Sequence, residues 1–146
     1  AFMWGLGVSH ASAAPSMSGP ISFHPFLSHF SPALFVAGAA LLILAKKRNH
    51  SGLAAAASLN LSLGFLAAVI GDFSGMLSAD MSAKTTLQVE GHQGYSFLFT
   101  VFYGFSAAFS YTRAFSSAAL VFYVLSFLAM CASIYSGYLL VFYSMG

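Results

Sequence analysis

Charge is the scarcest property of this chain: among 146 residues, five are lysine or arginine and three are aspartate or glutamate. An average soluble domain devotes roughly a quarter of its residues to charge. With 5% charged and 59% hydrophobic residues, this chain cannot clothe a water-facing surface, and a soluble fold is excluded. The few basic residues do not form a stripe, because Lys46, Lys47 and Arg48 cluster and nothing continues them, so nucleic acid is not an expected partner. Cysteine is reduced to Cys131, inside an apolar segment, which excludes an internal disulfide, a thiolate metal cluster and a Cys-x-x-Cys-His attachment for c-type haem. It reads as a core residue. Paired carboxylates, nucleophile and base pairs and phosphate-binding loops are missing too, so a stand-alone enzyme is a weaker expectation than an electron-transfer or accessory subunit. No charge interrupts the middle of an apolar run, which argues against a transporter.

What is present is apolar sequence in long runs, the pattern of helices and not of alternating strands. Phe26 to Ala45, Leu53 to Ile70, Tyr95 to Tyr111 and Ala118 to Met145 are each uncharged and near or above the ~20 residues a helix needs to cross a hydrocarbon core of ~30 Å. The fold class that follows is an all-α membrane protein, a bundle of four transmembrane helices over residues 24–146. Ser51-Gly52 makes the first turn a tight hairpin, and the Gly71 to Gly91 stretch reads as a long external loop. Four of the five basic residues, Lys46, Lys47, Arg48 and Arg113, fall at the two turns that four spans place on one side. By the positive-inside rule that side is cytoplasmic. Both termini then lie on the outer side, which is periplasmic for a bacterial inner membrane. Residues 1–23, with Trp4 in an apolar setting followed by an Ala-x-Ala-like stretch, read as an exported N-terminal arm that lies in the interface or against a partner. The two hairpins share an architecture, but no internal repeat stands out in the residues.

Several positions point to close helix packing. Ala56, Asn60, Gly64, Ala67, Ala68 and Gly71 recur on the second helix, Gly104 and Ala108 on the third, and Ala129, Ser133 and Gly137 on the fourth; small or hydrogen-bonding residues at this spacing let membrane helices approach. Asn60 is expected to face protein, and Ser106 and Ser110 to bond carbonyls of their own helix.

The sequence most suggestive of a site is His24-Pro25-Phe26-Leu27-Ser28-His29-Phe30-Ser31-Pro32. Pro25 suits a first helical turn, whereas Pro32 removes the bond to the Ser28 carbonyl and is expected to bend the outer turns and re-aim His29. Ala33, Ala37 and Ala40 follow His29 as a shallow strip for a helix or a flat ligand. Topology places His24, His29, Asp72 and His92 at one outer level. A b-type haem takes two axial ligands, commonly imidazoles, from opposite faces, and His29 with His92 fits that need; His24 and His29 do not point the same way. His29 is favoured because it lies deeper in the helix, and His24 stays open as the alternative. A non-haem metal site built from His29, His92 and Asp72 is the competing arrangement.

The string His24-Pro25-x-x-x-His29-Phe30, a small-residue second helix ending in Gly71-Asp72, and the histidine of His92-Gln93-Gly94 opening the third helix resemble the bacterial membrane family catalogued as domain of unknown function 2231. The resemblance covers roughly Ser22 to Tyr143. Ser31 intervenes before Pro32 where the family pattern has proline directly after His-Phe, and the third-helix motif matches in part. The resemblance implies a four-helix membrane domain in electron-transfer settings, with His24, His29 and His92 as the matching positions.

Two functions from different classes follow. One is a small integral-membrane electron-transfer subunit with haem b near the outer face, exchanging electrons with a quinone or a periplasmic cytochrome. The other is a cofactor-free accessory subunit of a larger respiratory or photosynthetic membrane complex, set among protein and lipid.

Overall fold

A computed structural model describes residues 23–80 and 86–142. The N-terminal arm expected over residues 1–23 lies outside them, apart from Phe23, as does His10. Within them the chain forms four α-helices: α1, Phe23–Arg48; α2, Ser51–Asp80; α3, Thr86–Thr112; and α4, Ser117–Phe142. They make an all-α four-helix bundle in which α1 packs on α2, α2 on α3 and α3 on α4. Three of the four, over Phe26–Arg48, Ser51–Leu77 and Ser117–Leu140, are long and apolar enough to cross a membrane. The chain is thus an integral membrane protein. The start of α3 holds Glu90, His92 and Gln93, which dilutes its apolar run.

The two short turns are built by local hydrogen bonding. At the end of α1, Asn49 adopts the left-handed conformation (φ 46°), and the His50 amide bonds back to the Ala45 carbonyl at 3.1 Å. This arrangement satisfies the last carbonyls of a helix at a residue type that tolerates positive φ. His50 then opens α2, its Nδ1 accepting from the Leu53 amide at 3.2 Å. Ser116 does the same for α4, its Oγ accepting from the Ala119 amide at 3.2 Å. The Lys46 ammonium lies 4.4 Å from the centre of the Phe115 ring, so the two basic turns are neighbours at one end of the bundle.

The long external loop expected over Gly71 to Gly91 is not found. α2 continues to Asp80 and α3 has begun by Thr86; no glycine there takes a positive φ, and Asp72 and Ser74, whose polarity suggested a loop, are instead bonded to side chains on other helices.

The core is centred on α3. Tyr103 is fully buried and stands edge-on to Phe35 (ring centres 5.0 Å apart) and beside Phe99 (5.2 Å) and Phe65 (6.4 Å). Its hydroxyl fills the notch left by Gly64, where a Cβ would overlap it. Asn60 faces protein as expected, donating to the Leu34 carbonyl at 2.7 Å and tying α2 to α1. Ser106 and Ser110 donate to Phe102 and Ala107 on their own helix at 3.0 and 2.6 Å. Most of the expected small face of α2 is inward, with Ala67, Ala68 and Gly71 buried, whereas Ala56 is exposed. Cys131 is also exposed, contrary to the core reading: where the outer surface of a bundle is apolar too, an apolar neighbourhood in sequence does not indicate burial.

A repeat invisible in the residue string appears in the burial pattern. Four inward positions of α1, Ser31, Phe35, Gly38 and Leu42, are matched on α3 by the inward Phe99, Tyr103, Ser106 and Ser110, whereas the buried Ala45, Thr100 and Ala107 have no buried counterpart. Each pair keeps the separation that relates His24 to His92. The inward faces of α1 and α3 therefore share a register over these positions.

Candidate functional site

His24 sits in the first turn of α1 and turns its ring toward α2. Its Nδ1 lies 3.1 Å from the Gly71 carbonyl and 3.1 Å from the Ser74 hydroxyl, while Ser74 itself donates to the Gly71 carbonyl at 2.8 Å. A carbonyl only accepts and the serine proton is already engaged, so Nδ1 is the protonated nitrogen. The ring lies against Gly75, where a Cβ would stand 2.7 Å from its Cε1. Glycine is required at that position by the close approach of the imidazole.

His92 repeats this arrangement on the second hairpin. Its Nδ1 is 3.1 Å from the Ser133 carbonyl and 3.0 Å from the Ser136 hydroxyl, and Ser136 donates to the Ser133 carbonyl at 3.0 Å. A Cβ on Gly137 would come within 3.0 Å of the His92 Cε1. The two cradles are Gly71-x-x-Ser74-Gly75 and Ser133-x-x-Ser136-Gly137: a carbonyl, a serine one turn on and a glycine next to it. In both, Nδ1–H is fixed by the protein, and the neutral ring is left with its lone pair on Nε2. That tautomer, held by a backbone carbonyl, is the one in which histidine ligates a metal.

The two imidazoles and one carboxylate are within electrostatic reach. Burial pushes the His92 imidazole below its ordinary value and the nearby His24 ring adds to this, while the Ser133 carbonyl and Asp72 act in the opposite sense. Asp72 accepts a hydrogen bond from Ser96 and so joins α2 to α3 just below the histidines. It lies within α2 and not at its end.

His29 stands elsewhere. It is exposed, with Phe26, Phe30 and Ala33 around a shallow surface hollow and its Nδ1 3.4 Å from the Ser28 hydroxyl. The strip Ala33, Ala37 and Ala40 faces outward with it. The residue brought into register with His92 is therefore His24. Among the described residues no three histidine, cysteine, aspartate or glutamate side chains are grouped closely enough to hold a metal ion, so His29, His92 and Asp72 do not assemble as a three-donor site.

Reasoning from the sequence weighed the histidines and missed what holds them: Ser74, Gly75, Ser136 and Gly137. The repeated Ser-Gly pair, one turn after Gly71 and Ser133, was the available signal. Comparison of the chain with family models, with curated proteins and with solved structures yields no match.

Proposed function

We propose that the chain is a small integral-membrane electron-transfer subunit in which His24 and His92 would hold a b-type haem near the outer face. The observation that carries this reading is the matched pair of cradles, each holding an imidazole through Nδ1 and leaving Nε2 free of the cradle contacts. A two-imidazole donor set suits a haem, whose equatorial positions are filled by the porphyrin, and does not suit a non-haem site that needs three protein donors. Bound there, the haem iron would take up and release one electron at a time. The protein's part is to fix the two rings: Gly71 and Ser133 hold them through backbone carbonyls, Ser74 and Ser136 through hydroxyls, and Gly75 and Gly137 leave room for them. The resemblance to the membrane family of domain of unknown function 2231, through His24, His29 and His92, agrees with an electron-transfer setting, with a quinone or a periplasmic cytochrome as exchange partner.

The same reading has all four helices crossing the membrane. If α1, α2 and α4 cross, α2 ends on the side opposite Lys46, while α4 begins beside Lys46, where Phe115 lies under its ammonium. α3 joins those two ends, so its Tyr95 to Tyr111 run must cross as well. The basic turns are then cytoplasmic and the histidine cradles periplasmic.

The test is a reduced-minus-oxidised absorption spectrum of the detergent-solubilised protein. Sharp b-type bands are expected, removed or broadened by His24→Ala and by His92→Ala and retained in His29→Ala and His10→Ala. Loss of the bands in His29→Ala with retention in His24→Ala would overturn the ligand assignment. Protein with neither haem absorption nor stoichiometric metal would leave the cofactor-free accessory subunit, whose broad apolar exterior, including Phe26, Phe73 and Phe97, meets lipid or a larger complex.

A further inference from the structure

The two turns at the basic end of the bundle carry charge without a counter-charge. Lys46, Lys47 and Arg48 close α1, Arg113 follows α3, and all four are exposed. The three carboxylate residues of the chain, Asp72, Asp80 and Glu90, belong to the far half of α2 and the start of α3, at the opposite end. The first turns of α2 and α4, which begin at the basic end, hold no acidic residue either. Cations in the last turn of a helix are ordinarily explained by the partial charge there, but that amounts to roughly half an elementary charge, and Lys46, Lys47 and Arg48 together end α1. A positive surplus is left at this end.

Folding gathers that surplus. The Lys46 ammonium lies 4.4 Å from the centre of the Phe115 ring, and Phe115 stands two residues after Arg113 in the turn between α3 and α4. This cation–π contact holds a lysine of α1 against the turn that carries Arg113. In the first turn the His50 ring rests over Gly52, where a Cβ would come within 3.0 Å of its Cε1. Its Nδ1 accepts from the Leu53 amide, so the ring proton is on Nε2 and adds an N–H donor at this end. Apolar exterior begins immediately below, with Ile43 on α1 and Leu120 on α4 both exposed. A lysine or arginine at such a boundary lays its stem along apolar surface and keeps its charged head at the level of the lipid headgroups.

We propose that the two basic turns form a binding site for an anionic phospholipid of the leaflet they face, its phosphate held by Lys46 and Arg113 and its acyl chains lying along the apolar exterior beneath. Charge complementarity selects the occupant: a phosphate supplies the negative charge this end lacks, and arginine takes it through two parallel N–H bonds. The depth of the site selects it further. A ligand seated where hydrocarbon begins must carry apolar chains, which a free phosphate or an acidic peptide does not. Clusters of lysine and arginine directly beyond membrane helices recognise anionic headgroups in this way. The proposal rests on α1, α2 and α4 crossing the membrane and not on haem binding, which the absorption spectrum tests separately.

The experiment uses the full chain, freed of lipid in an uncharged detergent, to which phosphatidylglycerol or phosphatidylcholine is added at equal concentration; native mass spectrometry measures the lipid retained. Phosphatidylglycerol is expected to bind about ten-fold more tightly than phosphatidylcholine. Lys46→Gln and Arg113→Gln should each weaken it about five-fold, the effect of one basic residue at an anionic surface. Lys46→Arg, which keeps the charge and the contact with the ring, should bind like the parent, and so should Lys84→Gln, outside the two turns. Equal retention of the two lipids overturns the proposal, as does undiminished retention of phosphatidylglycerol in both glutamine variants. If Lys46→Arg falls as far as Lys46→Gln, the side chain acts through packing and not through charge, and the proposal fails. Displacement of the lipid by equimolar inorganic phosphate would make the free anion the occupant and overturns it too.

Discussion

Replacing Gly64 by alanine tests the packing at the centre of the bundle. A Cβ there would overlap the Tyr103 hydroxyl, come within 2.9 Å of the Tyr103 Cζ and reach 2.8 Å from the Leu34 Cβ. None of these atoms is the loose end of a flexible chain: Leu34 Cβ is fixed to its backbone, and the Tyr103 ring is clamped by Phe35, Phe65 and Phe99. Forcing a methyl into a filled core typically costs about 1–3 kcal/mol, and the three simultaneous collisions put this substitution toward the upper end. Tyr103→Phe should behave oppositely. It removes a buried hydroxyl that has no partner, relieving a desolvation cost of roughly 1–3 kcal/mol less the dispersion lost with one atom, so the variant should melt at or above the parent temperature. Combining the two deletes the nearest clash but leaves those with Cζ and Leu34, so the double variant should recover part of the loss, with a coupling on the order of 1 kcal/mol. Thermal unfolding in detergent, followed by circular dichroism with reversibility checked, measures all three. Gly71 is the control, because a Cβ there meets only Leu27, at 3.9 Å. A Gly64→Ala variant as stable as the parent, or one that Tyr103→Phe leaves unrelieved, would refute the packing described.

Alanine at Gly75 or Gly137 should displace the imidazole lying against it, more so at Gly75, where the approach to His24 Cε1 is 2.7 Å against 3.0 Å for His92. In haem-loaded protein the bands should broaden with Gly75→Ala more than with Gly137→Ala, and identical spectra from both and from the parent would count against the cradles. Topology is open to cysteine labelling in a Cys131→Ala background: an impermeant maleimide applied to intact cells should modify Lys84→Cys and not Asn49→Cys, and the reverse result inverts the orientation.

Composition alone determined that this chain lies in a membrane as helices, because a polypeptide with so little charge has no other medium, and lipid accepts its backbone only when each segment satisfies its own hydrogen bonds. The inward side of Asn60 and the self-bonded Ser106 and Ser110 were legible for the same reason: they depend on contacts within a few residues or on the cost of leaving a polar group in hydrocarbon. The first hairpin was legible but its turn was not: Ser51-Gly52, read as the turn, opens α2, and the chain reverses at Asn49-His50, where Asn49 takes the positive φ. The pairing of His24 with His92 was not. Histidine spacing along α1 made His29 the deeper residue, but which ring meets another helix depends on the rotation of α1 against α2, and that rotation is set by remote fits such as Gly75 beneath His24 and Gly38 against Leu61. The exposure of Cys131 and the helical course of Gly71 to Asp80 escaped for related reasons. In a bundle that is apolar inside and out, hydropathy does not tell the two faces apart, and Asp72 and Ser74 look like loop residues until α3 and α1 supply their partners. The match of α1 to α3 is likewise a property of backbone register: phenylalanine stands opposite tyrosine and glycine opposite serine at equivalent inward positions, so the residues differ where the geometry is the same.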